Sequence, residues 1–278
     1  MRLCRAIIVI LFAGCMTPPT LPPVIDRLAG GPQGPDVVVL DIAVLEQPPA
    51  DPYLDSGLWP AVDEQPVPLD RKAALDDNGF RVGVIGGMPA PRLQELLTSE
   101  RWCKAHRVSM HSGHAKVLPI GPAQCDCEFD LHTNGETKSQ KFVQAQCGVG
   151  IVSHRAADGR VRVVVTPQIT HGGRSIWLQP AEGQNWSITG QRPVEQFAGL
   201  SLEATISPHE YLLVGTRYDR TQTLGQLTFV SGGVHPAQRL LLIRARPQED
   251  ASAKPTWAND NAAPLAYQAS KSARGKAE

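Results

Sequence analysis

The chain has 278 residues, and its 27 Lys and Arg balance its 27 Asp and Glu, so the formal net charge is zero. This balance argues against a protein that binds nucleic acid or an anionic membrane through bulk electrostatics. Apolar residues make up 42% of the chain, which is enough for the core of one moderately large domain or two small ones.

The first 15 residues have the pattern of an export signal. Arg2 and Arg5 give a positive start, and the apolar run Ala6–Phe12 is too short to span a bilayer, which needs roughly 20 apolar residues. Phe12-Ala-Gly-Cys15 resembles a bacterial lipobox, in which Cys15 becomes the lipidated first residue. The alternative is an ordinary signal peptide with an incidental cysteine. We therefore expect an exported lipoprotein that faces the periplasm, held by its lipid in the outer membrane.

Two terminal segments have compositions that cannot form a core. Residues 16–35 are rich in proline and glycine, which predicts an extended tether between the lipid and the folded part. Residues 248–278 are polar and rich in Ala, Ser and Lys, which predicts a disordered tail. Both predictions place the folded part between residues 36 and 247.

The sequence pattern of residues 36–100 predicts a small α+β unit with the order strand, helix, strand, helix. The β-branched run Val37–Leu45 predicts a buried strand, and Phe80–Ile85 predicts a second one. Pro68 and Asn78-Gly79 provide the start and stop signals of a helix at Leu69–Asp77.

A proline-rich loop and a second helix complete this unit. The loop, Glu46–Pro68, is long enough that we expect Leu58 and Trp59 to hold it against the core. The second helix follows Pro91 and ends near residue 100. Its apolar face is formed by Leu93, Leu96 and Leu97.

Residues 101–247 predict a domain of antiparallel strands, arranged as a sandwich or an open barrel. Asn134-Gly135 predicts a turn, and Asp158-Gly159 predicts a two-residue hairpin turn. The predicted strands are Val117–Leu118, Phe129–Leu131, Lys141–Cys147, Val149–Ser153, Val161–Thr166, Ser175–Leu178, Phe197–Ile206, Tyr211–Val214, Gly225–Val230 and Leu240–Ala245. The predicted fold class of the whole chain is α+β.

Four of the six cysteines lie between residues 103 and 147, together with half of the eight histidines. An exported protein folds in an oxidising compartment, which favours disulfides among Cys103, Cys125, Cys127 and Cys147. Four cysteines allow three connectivities. This region would be crosslinked by the pairs Cys103–Cys125 and Cys127–Cys147, or by the crossed arrangement of the same cysteines. Unpaired thiols are a further possibility.

The alternative for the same region is a zinc site. Zinc prefers tetrahedral sulfur and nitrogen ligands, and Cys103-x-x-His106 and Cys125-x-Cys127 are local pairs able to supply them. Their spacing matches none of the standard finger patterns. If the cysteines form disulfides and not a zinc site, we expect the protein to have no cofactor.

The sequence contains none of the hydrolase arrangements that can be recognised from spacing. Gly-x-Ser-x-Gly and His-Glu-x-x-His are both absent. We therefore expect a protein that is not an enzyme.

Four segments resemble secretin-type outer-membrane proteins, beginning near residue 161. They are Val163–Gly173, Phe197–Ile206, His209–Gly215 and Leu240–Pro247. The family's Val-Pro-x-Leu segment before the last strand is absent, and Leu224–Leu227 is its nearest remnant. The resemblance therefore implies a secretin-like β domain without a complete pore-forming gate.

The chain as a whole resembles uncharacterised lipoproteins of planctomycete-type bacteria. The resemblance rests on Asp63-Glu-Gln65 and Asn78-Gly-Phe-Arg-Val-Gly83, and it implies no particular activity. Together the resemblances imply a scaffolding or assembly role, secretin-like or secretin-associated, with envelope proteins or a second copy as partners at strand edges. The alternative is an envelope protein that binds a ligand or metal through residues 103–147.

Overall fold

The computed structural model describes residue 34 and residues 36–123, 125–180, 186–232 and 236–246. The predicted signal with Cys15, the tether up to residue 33 and the tail from residue 248 lie outside the described residues. The strands, in chain order, are β1 (Val37–Gln47), β2 (Phe80–Ile85), β3 (Cys103–His111), β4 (Ala115–Pro119), β5 (Cys125–Thr133), β6 (Glu136–Arg155), β7 (Val161–Thr170), β8 (Ser175–Pro180), β9 (Trp186–Gln191), β10 (Val194–Gln196), β11 (Leu202–Ile206), β12 (Tyr211–Thr216), β13 (Val230–Ser231) and β14 (Ala237–Arg246). The described α-helices are α1 (Leu69–Asp77), α2 (Pro91–Thr98) and α3 (Leu224–Phe229).

Two open six-stranded sheets hold most of these strands. Sheet A has the order β2-β12-β14-β1-β3, with the short β13 on β14. Sheet B has the order β10-β7-β6-β4, with β11 on β7 and β5 on β6. Strands β8 and β9 form a hairpin of their own. The predicted predominance of antiparallel β structure is confirmed, because the paired strands of both sheets run antiparallel.

The two sheets share one large hydrophobic core. Val38, Leu40 and Ile42 reach it from β1, and Val149 and Ile151 reach it from β6. All five are fully buried. Since alternate residues of a strand face the same side, each sheet contributes every second side chain to this core.

A second core covers the other face of sheet A. Ala43 and Leu45 point to it from β1, one residue out of phase with the first set. Trp59 covers it from the loop before α1, where its Nε1 donates to the carbonyl oxygen of Leu54 at 2.9 Å. Helix α2 contributes Leu93, Leu96 and Leu97 to this second core. Strand β1 is therefore buried on both faces, as its largely apolar, β-branched sequence predicts.

Strand β6 has 20 residues and changes partner along its length. Its first half pairs with β5, and its second half lies between β4 and β7. The register shifts between Cys125 and Cys127, opposite Gln144, whose φ is 51°. The backbone N–H of Gln144 donates to Oδ1 of Asp126 at 2.9 Å. This β-bulge moves the inward-facing positions of β6 from even to odd residue numbers.

Several local predictions are confirmed with their boundaries. The helix Leu69–Asp77 and the strand Phe80–Ile85 occur as predicted, and α2 carries the predicted apolar face. Leu58 and Trp59 are buried, so the long loop is held against the core.

Other local predictions are wrong. The predicted strand Gly225–Val230 is helix α3, which begins after Thr223, whose Oγ1 accepts from the backbone N–H of Gln226. Strand β3 was not predicted at all. The two predicted strands Lys141–Cys147 and Val149–Ser153 are parts of β6. The turn around Asp158 is longer than two residues, because the N–H of Ala156 donates to the carbonyl oxygen of Arg160 at 2.9 Å.

The separate N-terminal unit is not confirmed. Strands β1 and β2 are not neighbours, because β14 and β12 lie between them in sheet A. Residues from both sides of the predicted boundary at residue 100 share that sheet and both cores. The predicted secretin-like segments are also divided, since β7 and β11 belong to sheet B while β12 and β14 belong to sheet A. No helix in the described ranges is long and apolar enough to cross a membrane.

Candidate functional site

The four cysteines between residues 103 and 147 lie close together in the sequence, but the structure places them in different parts of the fold. Cys103 lies at the start of β3 and packs with Trp102 against the second core, on the outer face of sheet A. Cys127 and Cys147 lie in β5 and β6 and belong to the first core. All four predicted disulfide residues, including Cys125, are free thiols in the structure. The predicted pair Cys103–Cys125 is therefore not brought together.

The structure does not bring the four predicted zinc ligands together, and the described residues contain no group of three or more His, Cys, Asp or Glu able to hold a metal ion. Two of the four proposed ligands, Cys103 and His106, lie on β3 of sheet A, whereas Cys125 and Cys127 lie on β5. Spacing along the chain could not reveal this separation, because it arises from the pairing of β3 with β1.

Three of the thiols lie on the paired strands β5 and β6. The Cys147 side chain lowers the pKa of Cys127. The Cys127 side chain and burial raise the pKa of Cys147. Burial raises the pKa of the half-exposed Cys125, whose thiol faces the carbonyl oxygen of Ala145 at 3.6 Å. Burial alone raises the pKa of the distant Cys103 to about 11.

A buried charge cluster lies in the centre of sheet A and was not predicted. Asp41 on β1 is fully buried. Its carboxylate accepts from Arg107 Nε at 2.8 Å, from Arg244 Nη2 at 3.0 Å and from Arg246 Nε. Burial by itself would raise the pKa of Asp41, but the three guanidinium groups hold that pKa below its ordinary value. The cluster joins β3, β1 and β14, and we assign it a structural role.

A cleft of about 910 Å³ lies between α1 and sheet B, and it is called the acidic cleft from here on. One wall is α1, the second is the tip of the β5–β6 hairpin, and the third is the segment from β10 to the 3₁₀ turn at Ala198–Leu200. Phe197 is one of its lining residues and packs edge-on against Phe129, with ring centroids 5.9 Å apart. The charged and polar lining residues are Asp70, Arg71, Asp77, His132, Thr133, Asn134, Glu136, Gln140, Glu195 and Gln196.

Local sequence features hold the walls of the acidic cleft in place. At the tip of the β5–β6 hairpin, Asn134 and Gly135 have φ values of 53° and 80°, as a tight hairpin turn requires. Asn78, at the end of α1, is fully buried. Its Nδ2 donates to the carbonyl oxygen of His132 at 2.8 Å, and its Oδ1 accepts from the His132 N–H at 2.9 Å. The third wall is joined to α1 because Arg71 Nη1 donates to the Gly199 carbonyl oxygen.

The acidic cleft carries an excess of negative charge. Its lining includes four carboxylates and one arginine, besides His132. Glu136 forms an ion pair with Lys138 at 3.3 Å, and both side chains are exposed. In the part of the chain that the structure describes, Asp70, Asp77 and Glu195 form no ion pair. Such a cavity attracts cations and hydrogen-bond donors.

The sequence predicted two features of the acidic cleft, the helix α1 and the turn at Asn134-Gly135. Asp70 and Asp77 lie on the predicted helix α1, but nothing in the local sequence shows that β10 faces them. No protein-family model, curated protein or solved structure matches the chain.

Proposed function

We propose that the protein is a lipid-anchored envelope scaffold that binds a cationic, extended segment of a partner protein in the acidic cleft. The observation that carries the proposal is a cavity of about 910 Å³ lined by four carboxylates and one arginine. Its volume lies within the range of about 300–1,000 Å³ that is usual for binding pockets.

The lining favours a peptide over an apolar small molecule. Asn134, Gln140 and Gln196 supply amide groups beside the carboxylates. An extended peptide backbone needs such donors and acceptors when it leaves water. Lysine or arginine side chains of the same segment complement Asp70 and Asp77 on α1.

An anchored location is supported by the signal pattern that ends at Cys15 and by the Pro/Gly-rich residues 16–35. A lipid on Cys15 and a tether of this composition would hold the folded part beside a membrane. Replacing the cysteine tests this location: Cys15→Ser should move the protein from the membrane fraction to the soluble fraction. Continued membrane association of that variant would contradict the anchor.

An assembly role is supported by the architecture. We propose that the two facing sheets form a β-sandwich scaffold. Strand β3 pairs with β1 and with no other strand in the described ranges, and its Lys104, Ala105 and His106 are exposed. An edge of this kind is able to accept a strand from a partner or a second copy. The secretin-like segments support the same role in the outer membrane.

Peptide binding tests the proposed function directly. The probes are a fluorescent Lys-Ser repeat peptide and a Glu-Ser repeat of equal length, titrated with the full chain at low ionic strength. We expect the Lys-Ser peptide to bind and the Glu-Ser peptide not to bind. Added salt should weaken the binding, since the cleft is open to solvent.

A charge-matched pair of variants decides whether the acidic cleft is the site. The cleft variant carries Asp70→Asn, Asp77→Asn and Glu195→Gln, and the control carries Glu95→Gln and Glu100→Gln with Asp158→Asn on exposed surface elsewhere. We expect the cleft variant to lose about tenfold or more in affinity, equivalent to about 1.4 kcal/mol, while the control stays within about twofold. Equal losses in both variants, or no binding by the parent, would overturn the proposal.

A further inference from the structure

The edge of sheet B beside the acidic cleft has no strand partner among the described residues. Strands β10 and β11 pair with the same side of β7, because β6 occupies the other side along its whole length. The N–H of Phe197 donates to the Pro167 carbonyl oxygen at 3.0 Å and continues the pairing between β10 and β11. Neither strand pairs with any strand other than β7 in the described ranges. On such an edge, alternate residues turn their backbone N–H and carbonyl groups outwards.

A second cavity, of about 580 Å³, lies along the same edge and adjoins the acidic cleft. Asp70 and Arg71 line both cavities, which meet where Arg71 Nη1 donates to the Gly199 carbonyl oxygen. Consecutive residues of the edge line each cavity, 195–200 in the acidic cleft and 203–205 in the second. Neighbouring side chains of a strand point to opposite faces, so a cavity lined by consecutive residues follows the edge of the strand. The other residues that line the second cavity are Pro66, Pro68, Val164 and Ser201.

The two cavities together form one groove, called the edge groove from here on, and it is acidic along its length. The second cavity adds Glu203 to the four carboxylates of the acidic cleft, and Arg71 is the one arginine that lines either cavity. Glu203 contacts Arg162 at 3.4 Å, but both side chains are about half exposed, so this ion pair is weak. A cationic, extended segment therefore complements the charge of the whole groove.

We propose that the partner segment binds as an added β-strand on the β10–β11 edge, with its backbone paired to sheet B and its cationic side chains at the carboxylates of the edge groove. This inference rests on the proposed function and defines the class of segment, which must have free backbone N–H groups. Strand β7 has 10 residues along this edge. A segment that covers the edge is therefore about 30 Å long, at roughly 3.4 Å per residue. Backbone pairing of this kind supplies affinity, while the side chains supply selectivity.

Methylated peptides separate backbone pairing from attraction between charges. The probes are a ten-residue Lys-Ser repeat and two versions of it, N-methylated on every lysine or on every serine, each titrated with the full chain at low ionic strength. Methylation keeps the charges and removes backbone donors, and only alternate residues of an added strand face the sheet. We expect one methylated version to lose about tenfold or more in affinity, equivalent to about 1.4 kcal/mol, while the other stays close to the unmethylated peptide.

The possible outcomes separate this inference from the proposed function. Equal affinities of the two methylated versions would overturn the added strand. The proposed function would then still stand if the unmethylated peptide binds and the variant with neutralised cleft carboxylates does not. No binding by the unmethylated peptide would overturn the proposed function, and this inference with it.

Filling the second cavity tests the same inference on the protein. Thr205 is exposed on β11, and Thr205→Trp places a large side chain in that cavity. We expect this variant to bind the ten-residue peptide about fivefold or more weakly, because the added side chain clashes with a strand on the edge. A five-residue Lys-Ser peptide, short enough for the acidic cleft alone, should bind as it does to the parent.

The matched control is Thr98→Trp, at an exposed position on α2. It should bind both peptides as the parent does. An unchanged affinity of Thr205→Trp for the ten-residue peptide would overturn the added strand. If circular dichroism shows that Thr205→Trp does not fold, the methylated peptides still decide with the parent protein.

Discussion

Replacing Asp41 by asparagine tests whether the charge cluster in sheet A stabilises the fold. The substitution keeps the size of the side chain and removes the charge that Arg107, Arg244 and Arg246 share. Removing one partner of a buried ion pair costs about 3–5 kcal/mol, since the remaining charges stay in a poorly solvated site. We expect Asp41→Asn to lower the free energy of unfolding by about that amount.

Glu46→Gln is the matched control for this variant. Glu46 lies on the same strand and contacts two cations, Lys104 at 2.6 Å and Arg239 at 2.7 Å, but 23% of its side chain is exposed. Partly solvated ion pairs contribute about 0–1 kcal/mol. Urea unfolding followed by circular dichroism measures both variants. A loss in Asp41→Asn no larger than that in Glu46→Gln would refute the assignment of a stabilising role.

The same comparison predicts a pH dependence. The folded pKa of Asp41 is lowered from its ordinary value, whereas the unfolded pKa is about 3.9. The stabilisation by its charge is therefore complete above about pH 5 and is lost as pH falls through the folded pKa. We expect the stability difference between the parent and Asp41→Asn to be constant near neutral pH and to shrink in acid, as measured by urea unfolding across that range. A difference that grows in acid would contradict the lowered pKa.

Two further substitutions, with one control, test contacts between α1, α3 and the hairpin. A Cβ atom at position 225 would lie 2.4 Å from the Gly79 backbone, so Gly225→Ala should cost about 1–3 kcal/mol in urea unfolding. Gly199→Ala should stay within about 0.5 kcal/mol, because nothing lies within 4 Å of its added Cβ atom. Asn78→Ala should cost about 2–3 kcal/mol, because it removes the partners of the His132 N–H and carbonyl groups. An unfolding midpoint equal to that of the parent would contradict this bridge.

Elements with strong local signals were predictable from the sequence. Helix α1 begins after Pro68 and ends at Asn78-Gly79, which leaves little freedom in its boundaries. Strand β1 is apolar at every position from Val37 to Leu45 except Asp41, and such a segment predicts burial on both faces. In both cases the deciding interactions join residues that are close in sequence.

Elements that depend on tertiary pairing were missed. Strand β3 has mostly polar or half-exposed side chains, and it is a strand because it pairs with β1 from Cys103 to His111. Helix α3 alternates apolar and polar residues as a strand would, but its start is fixed by Thr223 and by contact of Gly225 with Gly79. The residues of that contact are far apart in sequence, so the local pattern could not reveal it.

The candidate sites were less predictable than the fold for the same reason. The clustering of the cysteines along the chain allowed both disulfides and zinc, and the choice between them depends on which sheet each cysteine joins. The acidic cleft gathers Asp70 and Asp77 from α1, Glu136 from β6 and Glu195 from β10. None of these carboxylates stands in a recognisable motif, so only the packing of α1 on sheet B brings them together.

The tip of the β5–β6 hairpin forms one wall of the acidic cleft. It is held by Asn78, whose side-chain amide bonds to the backbone N–H and carbonyl groups of His132 and so joins the hairpin to the end of α1. The geometry of the cleft therefore depends on this contact between α1 and the hairpin as well as on the turn at Asn134-Gly135.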